Sequence, residues 1–436
     1  MLLIPSILLC ALLRGHSSDK PGGPSESKAA STTGLIVHAG KNSPGTFMPW
    51  ESIDTINSAI NTLRRANGGS IIWLPGRYEI PQPIEIWDGQ DIRIEGLPGT
   101  VLTFPPSPVI QASLAADLVQ GSETFLVNHP EAIQLDWRYQ LYASDGSGNR
   151  LLEFRVTAIE GNLVKIHPAI RFMNHVKKIP KGSILVQRVN FFEFNRSQNI
   201  TLQGLTMDGG ARGSVAGHTT YCGLIAAGKT GKDKRPQSQG LTIQNCTFRD
   251  LKGRGVAIYH TARVVIEDCH FQGIAWQALE MDHYSTGAVT RNLIEDSAAG
   301  IALNDAFDTR IQFNTIRDCI QPIALYRHFN EDWINTNHEI SFNLLAPRAG
   351  QPGVVFRQPM SGNRVVENYF VTATKDLWVQ GAQDNHVANN YPNLESNRSE
   401  PRGAHYWLPE VFVIPGIGEL VLPRYSWLNQ SGHAAE

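Results

Sequence analysis

Residues 240–248 read GLTIQNCTF and residues 263–271 read RVVIEDCHF. The same phrase stands earlier as NITLQGLTM (199–207) and later as GAVTRNLIE (287–295), TRIQFNTIR (309–317), HEISFNLLA (338–346) and NRVVENYF (363–370). Each holds a short β-branched or apolar run, a central polar or glycine position, and a second short run. The central residues are Gly204, Asn245, Asp268, Asn292, Asn314, Asn343, Asn368 and Asn390, and from Asn245 onward they recur every 22 to 29 residues. A period of that length built from short strands is the mark of a solenoid. Gly, Asn and Asp best tolerate the left-handed backbone of a tight bend between two strands. Stacked coils put such residues about 4.8 Å apart, where amides can bond in a ladder. A leucine-rich repeat has a similar period, but its L-x-x-L-x-L phrase is absent.

A third strand follows each phrase after a variable loop, as GLIAAG (223–228), GVAIYH (255–260), ALEMDH (278–283), GIALND (300–305), PIALYRH (322–328), GVVFRQ (353–358) and DLWVQG (376–381). Alternation turns Val256 and Ile258, Leu279 and Met281, Ile301 and Leu303, Ile323 and Leu325, Val354 and Phe356, and Leu377 and Val379 inward. Cys246 and Cys269 fall at matching inward positions on adjacent coils and read as stacked core thiols. The fold expected is all-β: a single-stranded right-handed parallel β-helix.

Ile53, Ile56, Ile60 and Leu63 form a helical stripe ended by Asn67-Gly68-Gly69, suited to cap the first coil. The run from Ile53 to Phe104, with GGSIIWLPGRY and IRIEGLPGTVLTF, resembles the opening of the pectate lyase-like superfamily of right-handed parallel β-helices. With the later coils, the resemblance covers roughly residues 35–395. Residues 108–195 break the period, and ETFLVNH, QLYASDGSG, LLEFRVTAI and NLVKIHPAI alternate like short antiparallel strands. The expected organisation is a signal peptide and polar linker over 1–33, a cap helix and first coils over 34–107, an inserted β subdomain over 108–195, the main helix over 196–395 and a C-terminal cap or tail over 396–436, where EVFVIPGIGELVLP suggests a hairpin.

The opening run MLLIPSILLCALL is too short to span a bilayer but suits a signal-peptide core, so a secreted, cell-envelope or periplasmic location is expected. Leu8-Leu9-Cys10 resembles a lipoprotein cleavage site. A net charge of −2 gives no reason to expect nucleic acid or an anionic membrane as partner. The expected partner is a polysaccharide, and a monomer is expected.

Chemistry is expected on the outer face of the third-strand sheet. Tyr259, His260, Glu280, Asp282, His283, Asn304, Asp305, Tyr326, Arg327, His328 and Arg357 stand there on neighbouring coils. Acids, histidines, arginines and tyrosines packed at strand spacing suit acid–base work on a sugar. Asp282 and Asp305, on adjacent coils with Glu280 sharing a face, suit the two carboxyl groups of a glycosidase. The order Asp282, Asn304-Asp305, His328, Arg357 resembles the polygalacturonase family, with Asn-Asp in place of its Asp pair, no Gly-His-Gly around His328 and no Lys two residues after Arg357. Tyr326-Arg327-His328 resembles the Arg-His pair of the chondroitinase B and alginate lyase family, without that family's lysine or calcium-binding coil. Met281-Asp282-His283-Tyr284 resembles the Asp-Pro-His segment of mannuronan epimerases, lacking the proline.

The function expected first is cleavage of glycosidic bonds in an acidic polysaccharide. Asp282 and Asp305 would act as acid and base, Glu280 would assist, and His283 and His328 would orient. Tyr259, His260, Asn304, Tyr326, Arg327, Arg357 and Trp378 would bind substrate. A lyase or uronate epimerase on the same face, or a surface that binds glycan without cleaving it, are the alternatives. No cofactor is expected. Calcium is conceivable on Glu280, Asp282 and Asp305, and no Cys/His spacing supports zinc.

Overall fold

A computed structural model describes residues 34–40, 45–105, 112–142, 154–170, 178–210, 221–228, 236–326, 335–356, 360–371, 375–379, 385–390, 411–414 and 418–421. Three parallel sheets run the length of the main body, and the chain visits them in a fixed order, winding a right-handed parallel β-helix. This is the architecture that the resemblance to the pectate lyase-like superfamily implied. The first sheet includes Gly69–Trp73, Ile92–Gly96, Gln198–Gln203, Ser238–Gln244, Val264–Glu267, Gly287–Thr290, Thr309–Gln312, Glu339–Ser341, Arg364–Val366 and His386–Ala388. The second runs from Gly76–Glu79 to Tyr369–Phe370, and the third from Ile84–Trp87 to Lys375–Val379.

Inward side chains stack in register. One column runs Ile71, Ile94, Leu202, Ile243, Ile266, Val289, Ile311, Ile340 and Val365. The second sheet adds Phe248 over Phe271, their rings 4.8 Å apart and parallel within 3°. The inward residues expected of the third sheet, from Val256 to Phe356, are fully buried, while the side chains of Leu377 and Val379 lie outside the described residues. Burial of this kind stabilises by about 25 cal/mol per Å² of apolar surface. The helix Ile53–Arg65 lays Ile56, Ala59, Ile60 and Leu63 on the first coil, with Ser52 capping its first turn.

The bend between the first and second sheets departs from expectation in one detail. Its left-handed residues are Gly204, Asn245, Asp268, Arg291, Phe313, Phe342, Glu367 and Asn389, with φ between 52° and 68°. From Asn292 onward, the asparagines expected at the bend sit one residue past it. Arginine, phenylalanine and glutamate resist this backbone region, so something else holds the turn. That is the asparagine that follows. Asn314 Nδ2 donates to Asn343 Oδ1 at 3.0 Å and to Val289 O at 2.9 Å, while Asn314 Oδ1 accepts from the backbone N–H and the Nδ2 of Asn292 at 3.0 and 2.9 Å. Asn343 and Asn368 repeat the pattern down to Asn390. Cys246 and Cys269 occupy the same position higher up, and the Cys269 N–H donates to Asn292 Oδ1 at 3.0 Å. Both thiols are free and buried.

After the second-sheet strand Thr100–Thr103, the chain leaves the coil and forms a closed antiparallel barrel from Ser113–Leu114, Thr124–Asn128, Arg138–Tyr142, Phe154–Glu160, Leu163–His167 and Ile184–Gln187. The barrel has its own core, including Leu114, Val127, Leu141, Phe154, Val156 and Val164. The coil resumes with Asn190–Asn195 in the third sheet, so the barrel stands beside that sheet's first strands. Val411–Ile414 pairs with Gly418–Val421 as an antiparallel hairpin. The leader segment with Cys10 lies outside the described residues.

Candidate functional site

The outer face of the third sheet presents two adjacent rows. One runs Glu85, Glu193, Ile225, Ala257, Glu280, Ala302 and Ala324; the other runs Trp87, Asn195, Ala227, Tyr259, Asp282, Asn304 and Tyr326. Each strand then enters a left-handed turn. His260, His283 and Asp305 are the turn residues of successive coils, at φ 48°, 50° and 55°. The His260 N–H donates to His283 O at 3.0 Å and the His283 N–H to Asn304 O at 3.1 Å, so the column is pinned to the sheet.

Asp282 is the hub of the lower part. Its Oδ1 accepts the His283 backbone N–H at 2.7 Å and a short contact from His283 Nδ1, and its Oδ2 accepts Asn304 Nδ2 at 3.3 Å. A carboxylate at Nδ1 requires the proton there, which leaves the far nitrogen of the ring as the basic one. The rings of His260 and His283 stand 4.9 Å apart and nearly perpendicular. Burial, and then the neighbouring His283, push the His260 pKa down to about 4 against the pull of Asp282.

The upper part centres on a residue the sequence reading did not single out. Arg254 Nη2 spans both oxygens of Glu280 at 2.9 and 3.1 Å, Nη1 donates to the Tyr259 hydroxyl at 2.5 Å, and Nε donates to Gln277 Oε1 at 3.0 Å. Burial opposes the guanidinium charge, but Glu280 and Tyr259 leave the Arg254 pKa raised. Burial also raises the Tyr259 phenol well above its ordinary value, with Glu280 adding to the effect. The signal in the sequence was Gly253-Arg254-Gly255, an arginine between two glycines at the mouth of a third-sheet strand.

One expectation changes here. Glu280, Asp282 and Asp305 were expected on an exposed face. The structure leaves Glu280 and Asp282 3% exposed and Asp305 0%. Tyr259, His260, His283, Asn304 and Tyr326 keep part of their surface open. Arg327, His328 and Arg357 lie outside the described residues, as does the side chain of Trp378. Among the described residues, no three His, Cys, Asp or Glu side chains are grouped to hold a metal ion.

Residues 229–397 match the family described as Periplasmic copper-binding protein (NosD). No curated protein matches the chain. Among solved structures, the chain is similar to the Azotobacter vinelandii mannuronan C-5 epimerase AlgE6 A-module, at 13% identity over 78% of this chain and 95% of that one, with a TM-score of 0.39. It is also similar to a mutant of the periplasmic alginate epimerase AlgG, at 10% identity over 86% of this chain and 84% of that one, with a TM-score of 0.41. A glycoside hydrolase is similar at 10% identity over 78% and 92% of the two chains, with a TM-score of 0.38. Similarity of this degree assigns no chemistry.

Proposed function

We propose that the outer face of the third sheet binds an acidic polysaccharide and removes the proton beside a uronate carboxylate, the step shared by polysaccharide lyases and uronate epimerases. The observation that carries this reading is the Asp282–His283 contact, which fixes one tautomer and makes the far ring nitrogen a general base. In a lyase the electron pair left on carbon expels the glycosidic oxygen, which takes up a proton. In an epimerase the proton returns to the opposite face. His260, neutral above about pH 4, stands where it can carry the proton onward. Tyr259 keeps its proton and serves as a hydrogen-bond donor. Arg327 and Arg357 are proposed to neutralise the substrate carboxylate, with His328 assisting. Tyr326 and Trp378 are proposed to stack on sugar rings.

Hydrolysis by Asp282 and Asp305 needs a carboxylic acid within reach of a leaving oxygen. The burial of both carboxyls, and the engagement of both Asp282 oxygens, weigh against it. We further propose a location outside the cytoplasm, on the apolar run of residues 1–13 and the periplasmic description of the matching family. No helix among the described residues is long and apolar enough to cross a membrane.

The test is incubation with a panel of polyuronates in deuterated water, with and without calcium. The readouts are ultraviolet absorbance, deuterium at the carbon beside the carboxylate, and reducing ends. Rising absorbance identifies a lyase, and deuterium without absorbance identifies an epimerase; either should vanish in His283→Gln. New reducing ends with neither signal would overturn proton abstraction in favour of hydrolysis.

A further inference from the structure

A cavity of about 170 Å³ opens where the barrel meets the first coil, far from the histidine cluster. Arg138, Arg155, Arg188, Trp137, Gln187 and Glu85 contribute to its walls. Glu85 belongs to the same outward row as Glu280, four strands earlier, or roughly 19 Å along the helix axis. Arg138 Nη2 lies 2.6 Å from Glu85 Oε1, and Arg188 Nε lies 2.9 Å from Glu193 Oε1. Three guanidiniums therefore meet two carboxylates.

Arg155 is the surplus charge. Its side chain is exposed and has no ion pair or side-chain hydrogen bond with another described residue, while its backbone belongs to the barrel ladder. It also stands directly opposite Arg138 on the neighbouring barrel strand. Like charges placed across a strand pair repel, and an anion lying between them would remove that cost. Guanidinium forks match a carboxylate in two-point geometry, and the half-buried Trp137 offers an aromatic wall to a sugar ring.

We infer that this cavity binds one anionic sugar unit, a uronate, and is a holding subsite at the barrel end of the polysaccharide face. The inference rests on the proposed function for the polymer but not for the anion. A polymer seated there would lie along the outward row toward Asp282 and His283, so the barrel sets where the chain is gripped and the histidine turns set where it reacts.

Calorimetry on the full chain tests this with free glucuronate, glucose and inorganic sulfate. Glucuronate should bind and glucose should not. Arg155→Gln should weaken glucuronate on the order of tenfold, because one charge-assisted contact is lost, without lowering the melting temperature, since the repulsion from Arg138 is relieved. Arg155→Lys should recover part of the loss. His283→Gln should leave glucuronate affinity intact while abolishing turnover of polymer. Equal affinity in Arg155→Gln, equal binding of glucose, binding of sulfate alone, or loss of glucuronate in His283→Gln would each overturn the subsite. Arg155-dependent binding without any polymer turnover would instead overturn the proposed function and leave the subsite standing.

Discussion

Arg254→Ala should destabilise the protein by about 3–5 kcal/mol, the range found when one partner of a buried ion pair is removed. The size follows from the surroundings. The side chains of Arg254 and Glu280 are 9% and 4% exposed, so the Glu280 carboxyl would be left with little water to replace the lost partner. The Tyr259 hydroxyl, 3.4 Å from Glu280 Oε2, would still donate to that carboxylate. Gln277 Oε1 and the Tyr259 oxygen would each lose a donor as well. If the cost comes from the abandoned charge rather than from lost packing, the paired replacement Arg254→Met with Glu280→Leu should lie within about 1 kcal/mol of the parent. Urea unfolding of the parent, Arg254→Met, Glu280→Leu and the double variant closes the cycle, with an expected coupling of about 5 kcal/mol or more, since each single leaves one buried charge unpaired and the double leaves none. A loss below about 1 kcal/mol in Arg254→Ala, or a double variant as unstable as the worse single, would refute a desolvated pair.

Asn314→Ala should cost about 2–4 kcal/mol by urea unfolding, since the buried Asn292 N–H loses its acceptor, the Val289 carbonyl loses a donor, and Asn343 Oδ1 keeps only the Asn314 backbone N–H of its two donors. Cys269→Asn should be tolerated within about 1 kcal/mol, because the Asn292 oxygen and the Ile243 carbonyl already receive the Cys269 N–H and thiol; a larger loss would show that the ladder is closed to asparagine above Asn292. Burial pushes His338 down to about 3 and His260 down to about 4. Both bind protons more readily when unfolded, so stability should fall as pH drops from about 6.5 toward 4, at a slope approaching 2.7 kcal/mol per pH unit, read as urea midpoints at pH 7 and pH 5. His338→Gln should roughly halve that slope.

The period was legible because a tight bend restricts residue type, and the inward residues of Val256–Tyr259 and Gln277–Asp282 were legible because a strand alternates. The bend itself was misplaced by one residue from Asn292 onward. Asparagine both tolerates left-handed backbone and builds ladders, and in the lower coils it does the second while Arg291, Phe313, Phe342 and Glu367 bear the strained conformation. Neighbouring-coil contacts make this affordable, and no local pattern records them. The depth of Asp305 was hidden for a similar reason: its complete burial depends on the fold around it, which strand alternation does not record. Arg254 was overlooked because it precedes its strand, outside the alternating positions that point to a face. The cavity at Arg155 joins residues from the cap helix, the first coil and the barrel, which no local stretch of sequence brings together.

The left-handed turns that carry His260, His283 and Asp305 are tied backbone to backbone across coils. Their separation is therefore not adjustable by side-chain choice. It comes in whole strands, like the graduations on a ruler. Each graduation carries its own side chain, so the histidines and the aspartate stand at set intervals rather than at intervals chosen by packing. On such a scaffold, lengthening a loop changes what surrounds the graduations without moving them.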